Sequence, residues 1–289
     1  MAGLLRAEFL KLRKRWMPYV LFLFLLAGAA FLIWAVGYSE RNDSDDPAFA
    51  LASIRTFAYP YSIPALLDSG QFWGSAIFVA ILTTSTLATE HNWGTIRPAI
   101  VGGVSRARYL AAKLIILTLV SIVVMLLALG FGVAMSLWAS SAAGYDVPVS
   151  HPESFTAADF LLMLGRTAIC IIPYGLVAFT LTVLSRSTAL GVAGTMGFVV
   201  LEAILVEVLG TGSGLIEEAQ ALFPGHNVST LIAENRFGNL EYESMALREM
   251  EPGVPSVWSA TAILVVESAL LLFASFAVFL RRDVTVSHG

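Results

Sequence analysis

The residues able to do chemistry are few, and the most informative ones interrupt apolar runs. Arg166, Glu202, Glu207 and Glu267 each stand among leucine, valine, isoleucine, alanine and phenylalanine. Paired carboxylates can divide general acid and base work between them. Glu202 and Glu207, however, lie about 140° apart around a helix, and no His or Asp joins them in their run. His91, His151, His226 and His288 are scattered over separate segments and make no metal-ligand pattern. The single cysteine, Cys170, excludes a disulfide within the chain and any Cys-based zinc or iron–sulfur site. A Walker A loop needs a Gly-Lys pair to cradle phosphates, and neither Lys11, Lys14 nor Lys113 follows a glycine. The chain is therefore not expected to be an enzyme that hydrolyses ATP, nor to bind a metal or cofactor itself. Energy for any work must come from a partner or a gradient.

Composition explains why charges are so rare. Of 289 residues, 57% are hydrophobic and 13% charged, against about 25% charged in a soluble domain. No water-soluble fold of this length could hide that much apolar surface. A net charge of −4 and only three lysines also exclude a nucleic-acid-binding face.

About twenty apolar residues cross the hydrocarbon core as a helix. Six stretches qualify, approximately 17–37, 70–89, 113–138, 159–184, 189–209 and 257–280. The expected fold is an all-α membrane protein: a single transmembrane domain over 1–289, with a large extracytoplasmic loop over 210–256. The first stretch follows a basic segment and holds the small residues Ala27 to Ala30. Its apolar run continues to Val36, past the roughly 7–15 residues of a signal-peptide core, so an uncleaved anchor is expected.

Basic residues set the direction. Arg6, Lys11, Arg13, Lys14, Arg15, Arg97, Arg106, Arg108, Lys113, Arg186, Arg281 and Arg282 fall on one side, and only Arg41, Arg55, Arg236 and Arg248 on the other. Both termini are thus expected in the cytoplasm, with the chain multi-pass in the cytoplasmic (inner) membrane. The outer loops are acidic, which solvation alone explains. Asn42 and Asn227 head glycosylation triplets on that side.

Two expected cytoplasmic elements carry most information. Over residues 4–16, LLRAEFLKLRKRW, Leu5, Phe9, Leu12 and Trp16 share a narrow helical arc, with Arg6, Lys11, Arg13 and Lys14 away from it. This pattern suits a short helix lying in the headgroup layer, and Pro18 lets the chain bend after it. A plain topogenic tail has the same charges. The second element is the loop Glu90 to Lys113. Gly94 can take the left-handed conformation that ends one helix. Thr95 can cap another, with Pro98 in its first turn. Gly102 and Gly103 stop it after about two turns, and Ser105 caps the helix that starts at Arg106. Such a crosswise helix would project Trp93, Ile96, Arg97 and Ile100 toward a soluble partner. An ordinary connecting loop needs the same punctuation.

Inside the membrane each charge needs a mate or a watery cavity. Arg166 and Glu202 lie at similar expected depths on neighbouring antiparallel spans, predicting an ion pair that locks two helices or lines a route. Glu267 has no obvious mate and is a candidate pathway residue. Pro173 offers a kink, and Gly191, Gly194 and Gly197 mark a face of close helix approach. Phe72, Trp73, Phe78, Phe131 and Trp138 suit packing, lipid contact or a hydrophobic cargo.

The elbow-like LLRAEFLKLRKRW, the run Glu90, Gly94, Thr95, Ser105, Arg106, Leu110, Lys113, and the tight turn Ser185–Thr188 together resemble the permease subunit of ABC transporters of the type 2 exporter family. FPGHNVSTLI (223–232) is similar to the proline-bearing segment those permeases carry after span five. The resemblance covers essentially the whole chain. It implies a transporter of two permeases, either two copies or this chain with a related one, and two ABC ATP-binding subunits. ATP and magnesium would be bound only by those partners. It further implies that the 90–113 loop is the coupling helix seated in the ATPase, with the elbow helix beside it. Glu90, Trp93, Gly94, Thr95, Ile96, Arg97, Pro98, Ile100 and Arg106 would then form the coupling interface, and Ser185 and Arg186 a smaller contact. No catalytic residue follows from it. The family's cargoes include antibiotics, lipids, polysaccharides and peptides, and the sequence favours a hydrophobic or amphipathic one. Two other classes stand as alternatives: a gradient-driven carrier, for which inverted repeats would be expected, and an intramembrane enzyme using Glu202 and Glu267.

Overall fold

The computed structural model describes residues 1–43, 62–69, 76–142, 156–210, 219, 221–235 and 256–281. Those residues fold into helices without a strand. In chain order the helices are α1 (Ala2–Arg13), α2 (Met17–Asp43), α3 (Ser62–Ser69), α4 (Ala76–Asn92), α5 (Ile96–Val101), α6 (Arg106–Ala142), α7 (Ala157–Ser185), α8 (Thr188–Gly210), α9 (Pro224–Ala233) and α10 (Val257–Arg281). Five of them, α2, α6, α7, α8 and α10, are long and apolar enough to cross a membrane. They coincide with five of the six stretches read from the sequence. The described part of α4 has 17 residues, about 25 Å of rise, short of the roughly 30 Å hydrocarbon core. Residues 70–75 of the expected second span, Phe72 and Trp73 among them, lie outside the described residues. So do His151, His288, the Arg97 side chain, and 210–256 apart from 210, 219, 221–235 and 256.

Local sequence sets the helix ends. Thr156 and Asp159 form a reciprocal capping box at the start of α7: Thr156 Oγ1 accepts from Asp159 N–H at 3.3 Å, and the Asp159 carboxylate accepts from Thr156 N–H at 2.8 Å. The other end of α7 closes on Arg186, which adopts the left-handed conformation at φ 56°. The Ser187 hydroxyl then caps α8 by accepting from Leu190 N–H at 3.4 Å. Between α1 and α2, Pro18 sits in the first turn of the new helix, where its missing N–H does no harm. The Tyr19 hydroxyl spans that joint, donating to Arg13 O at 2.9 Å.

Helix α7 is the axis of the bundle. It packs against α4, α8, α9 and α10, while α2 and α1 pack on α6. In its most apolar stretch 67% of α7 is buried, against 6% for α2, which therefore lies at the periphery. One buried polar contact joins α7 to α10: Thr180 Oγ1 and Ser275 Oγ share a hydrogen bond of 2.8 Å. Near one end, Ile96 of α5 packs with Leu87, Tyr109, Leu110, Phe179, Val183 and Phe279, so five helices meet there. Farther along α7, Cys170 and Tyr174 pack with Val228, Leu231 and Ile232 of α9 and with Ala260 and Leu264 of α10.

Of the glycines at 191, 194 and 197, the first marks the tightest junction. A Cβ at Gly191 would overlap Thr182 Oγ1 of α7 and come within 2.5 Å of Thr84 Cγ2 of α4, whereas Gly197 faces open space. Overpacking of this kind costs about 1–3 kcal/mol. Gly191→Ala should lower the thermal unfolding midpoint of the detergent-solubilised protein, and Gly197→Ala should leave it nearly unchanged.

Candidate functional site

The α1 sequence places Glu8 four residues before Leu12, about 40° away around the helix. These two are its buried residues, at 3% and 5% exposed. The expected apolar arc is thus divided. Leu12 turns into the bundle with Glu8 beside it, while Phe9 and Trp16 stay 49% and 85% exposed. Glu8 meets Glu90 at the end of α4 and Lys113 two turns into α6. Lys113 Nζ lies 3.1 Å from Glu8 Oε2 and 2.7 Å from Glu90 Oε2. Lys11 Nζ closes the ring, 2.6 Å from Glu8 Oε1 and 3.2 Å from Glu90 Oε1. The Tyr109 hydroxyl, one turn before Lys113, donates to Glu90 Oε2. Two carboxylates and two ammonium groups thus form a neutral quartet. Three of its members are almost fully buried, and Lys113 is 1% exposed.

Two members of the quartet, Glu90 and Lys11, are held in their ionised forms. Burial alone would raise the Glu90 carboxyl, but Lys113, the Tyr109 hydroxyl and Lys11 outweigh it and hold Glu90 below the usual carboxylate range. Burial would likewise lower Lys11, and the Glu8 and Glu90 carboxylates reverse this, raising its pKa. Next in sequence, His91 feels Glu90 as the weakest of its electrostatic influences, too little to compensate. Its buried Nε2 has no hydrogen-bond partner among the described residues, and its ring packs edge-on to Phe279. Burial first, then the positive charges of Arg186 and Lys113, push His91 down to about 4.

The short cross-helix α5 follows at once. Gly94 has φ 65° and Gly103 has φ 91°, the two left-handed positions that bracket it. Thr95 differs from expectation. Its hydroxyl makes no cap to α5 and donates back to Glu90 O at 3.4 Å. Ile96 also differs: it is 2% exposed and anchors α5 to the bundle, with the half-buried Ile100 packed against the same cluster. A two-turn helix needs an apolar underside, and Ile96 and Ile100 provide it. The exposed side chains are Thr95, Pro98, Trp93 at 72% and Val101 at 79%. The Arg15 guanidinium lies 5.8 Å above the Trp93 ring. Ser105 Oγ accepts from Arg108 N–H at 3.4 Å, as a cap should. Arg106 donates to Leu280 O at 3.0 Å, tying the start of α6 to the end of α10. The Ser185–Arg186 turn lies at this same end of α7.

The predicted Arg166–Glu202 ion pair does not form. Arg166 Nη1 donates to Glu234 O at 2.8 Å, with its Nη2 3.9 Å from the Glu234 carboxylate. Glu202, 3% exposed, accepts from the Tyr174 hydroxyl at 3.1 Å and from Gly225 N–H. Gly225 lies in the first turn of α9, and Glu234 is its C-cap residue. Both side chains therefore serve one ten-residue helix, the Glu202 carboxyl group at its positive end and the Arg166 guanidinium at its negative end. That helix, about 15 Å long, stands where direct contact was expected. Gly225 permits the approach, since a Cβ there would stand 3.2 Å from Glu202 Cδ. Asn227 is buried, donating to Ala221 O and Phe223 O, which removes it as a glycosylation site. Glu267 is half-buried, and its Oε2 has no partner among the described residues.

Sequence reasoning missed Glu8, Tyr109, Tyr174 and Glu234. The signal for Glu8 was a carboxylate on the edge of an apolar arc. For Tyr109 it was the four-residue spacing to a lysine entering an apolar run. Nothing local marked Tyr174 or Glu234.

The chain belongs to the family described as Protein of unknown function (DUF2705), whose family model matches residues 30–285. The matched stretch includes Glu90, Tyr109 and Lys113 and begins after Glu8 and Lys11. No curated protein matches the chain.

Lys113→Met should cost about 3–5 kcal/mol, because it strands buried carboxylates. Adding Glu8→Gln should restore part of the loss by leaving Glu90 paired with Lys11, as read by thermal unfolding in detergent. A second outcome concerns pH. His91 has a lower pKa folded than unfolded, so its neutral form supports the fold fully above its unfolded pKa of ~6.5. That support is lost as pH falls toward 4. Between pH 6.5 and 5, above the range in which Glu90 takes up a proton, the unfolding midpoint should fall, and His91→Phe should flatten the fall.

Proposed function

We propose that this chain is the membrane-spanning permease subunit of an ATP-driven exporter of the ABC type 2 kind, worked by separate ATP-binding subunits. In this reading α4, extended by residues before Ala76, is the second of six spans. The end of the bundle that carries α1 and α5 faces the cytoplasm, α1 is the elbow helix and α5 the coupling helix. A second permease copy, or a related permease, completes the pathway, and ATP and magnesium stay with the partner. The cargo is hydrophobic or amphipathic.

The observation that carries the reading is the mounting of α5. Only six residues long, it could not hold a position alone. It is fastened beneath by Ile96, and its two neighbours α4 and α6 are clamped to each other and to α1 by the buried quartet. A force on α5 is therefore delivered to the bundle. Above this rigid seat, Trp93 and Val101 stand exposed, a pair of apolar side chains suited to the fully desolvated centre of a protein interface. Helix α1 and the residues just after it offer exposed Phe9 and Trp16 to lipid, with Arg13 and Lys14 for anionic headgroups.

Affinity purification from native membranes should bring down an ATP-hydrolysing subunit. Trp93→Ala combined with Val101→Ser should abolish that co-purification while shifting the permease's own stability by no more than about 0.5 kcal/mol, as for other surface changes. A double variant that still holds the ATPase and supports ATP-dependent transport would sink the coupling assignment.

A further inference from the structure

A cleft runs between α4, α6 and α7, lined by Val79 and Thr83 on α4, Leu117, Ser121 and Met125 on α6, and Ile171 on α7, among others. Its lining carries no charge, and Thr83, Thr118 and Ser121 are its only polar side chains. Ser121 spends its proton on Leu117 O at 2.8 Å. Such a wall rewards hydrocarbon and gives a polar ligand little to bind.

Dimensions narrow the occupant further. Along α6 the lining runs from Leu114 to Met125, about 16 Å of helix. That is close to half of the roughly 30 Å hydrocarbon core, or one leaflet. The cleft starts one residue beyond Lys113, so it occupies the leaflet on the side of the charge quartet. Leu12 of α1 packs in one cluster with Val79, Leu117, Met125 and Ile171. The end of the cleft is thereby flanked by a helix whose last turn and exit carry Arg13, Lys14 and Arg15. Apolar walls one leaflet long with cations at the surface end match an anionic phospholipid.

We propose that this cleft holds one acyl chain of an anionic phospholipid drawn from the adjoining leaflet, with its headgroup beside α1. The proposal rests on the placement of α4, α6 and α7 in a bilayer and is independent of any coupling role for α5.

The test uses the full chain in phosphatidylglycerol bilayers doped with phosphatidylglycerol that carries a diazirine on one acyl chain. After illumination, peptides covering Leu114–Met125 and Ala168–Leu176 should be labelled well above α2, which lies at the periphery of the bundle. Ser121→Phe fills the cleft, and labelling of those peptides should fall about tenfold, as when roughly two methylenes lose their site. Labelling of α2 should hold. Ile172→Trp fills the cleft from α7 and gives the same result should Ser121→Phe misfold. Undiminished labelling in a folded filled variant would overturn the proposal, as would displacement of the label by excess free palmitate, which would assign the cleft to a fatty acid. Absence of label on α2 would instead overturn the membrane placement itself.

Discussion

Glu8, Glu90 and Lys113 are each no more than 3% exposed, and taking any one of them out of water costs several kcal/mol unless its partners come too. The four charges therefore enter the fold together. This requirement governs α1 in particular, because Leu12 is its one buried apolar residue. With so little apolar area, α1 cannot owe its place to hydrophobic burial alone. Its position is set by geometry: the Glu8 carboxylate has to reach Lys113 while Lys11, three residues on, reaches Glu90. Because Glu90 ends α4 and Lys113 begins the apolar part of α6, one interaction fixes three helices. The position of α5 follows from its short tethers.

A second set of charges obeys the same rule by a different route. Within a bilayer every backbone polar group must find a partner inside the protein, and a helix end exposes unpaired N–H or C=O groups. The start of α9 is met by Glu202, which lies about 21 Å along α8 from Thr188, deep in the bundle. Its end is met by Arg166. Each charge compensates a helix terminus, and the helix terminus compensates each charge. A direct Arg166–Glu202 bridge would have left both ends of α9 bare.

The sequence made the long helices legible because each has a simple cause. Apolar runs of sufficient length located five long helices, although α6 begins seven residues before its expected start and α2 ends six residues after its expected end, and Gly94, Gly102 and Gly103 bracketed α5 correctly. What could not be read was anything requiring two distant segments to meet. Glu90 and Lys113 were both noticed, yet their joint partner Glu8 lies about eighty residues away in sequence and belongs to another helix. Likewise Arg166 and Glu202 both meet α9, one at each end. That α9 comes to stand between them is announced by no periodicity in either span. Ile96 was misassigned for a related reason: a short helix does not reveal which side will be roofed by Phe179 and Phe279. Exposure, once known, moves the expected contact surface to Trp93 and Val101.

Helix α7 brings the two charge sets into one mechanical frame. Phe179 and Val183 touch the seat of α5, and Tyr174, only five residues from Phe179, donates to the carboxylate that caps α9. The separation along α7 between these contacts is about 8 Å. Close packing at that distance does not by itself make a signal; coupling requires an element with two arrangements that both sites bias. α7 is the most deeply buried long helix, and its capping box and left-handed stop make it a discrete, well-terminated rod. Pro173, one residue before Tyr174, removes a hydrogen bond from its interior and is the place where it can bend. The contacts with α5 and Tyr174 lie on one side of that proline, and Arg166, which meets the other end of α9, lies on the other.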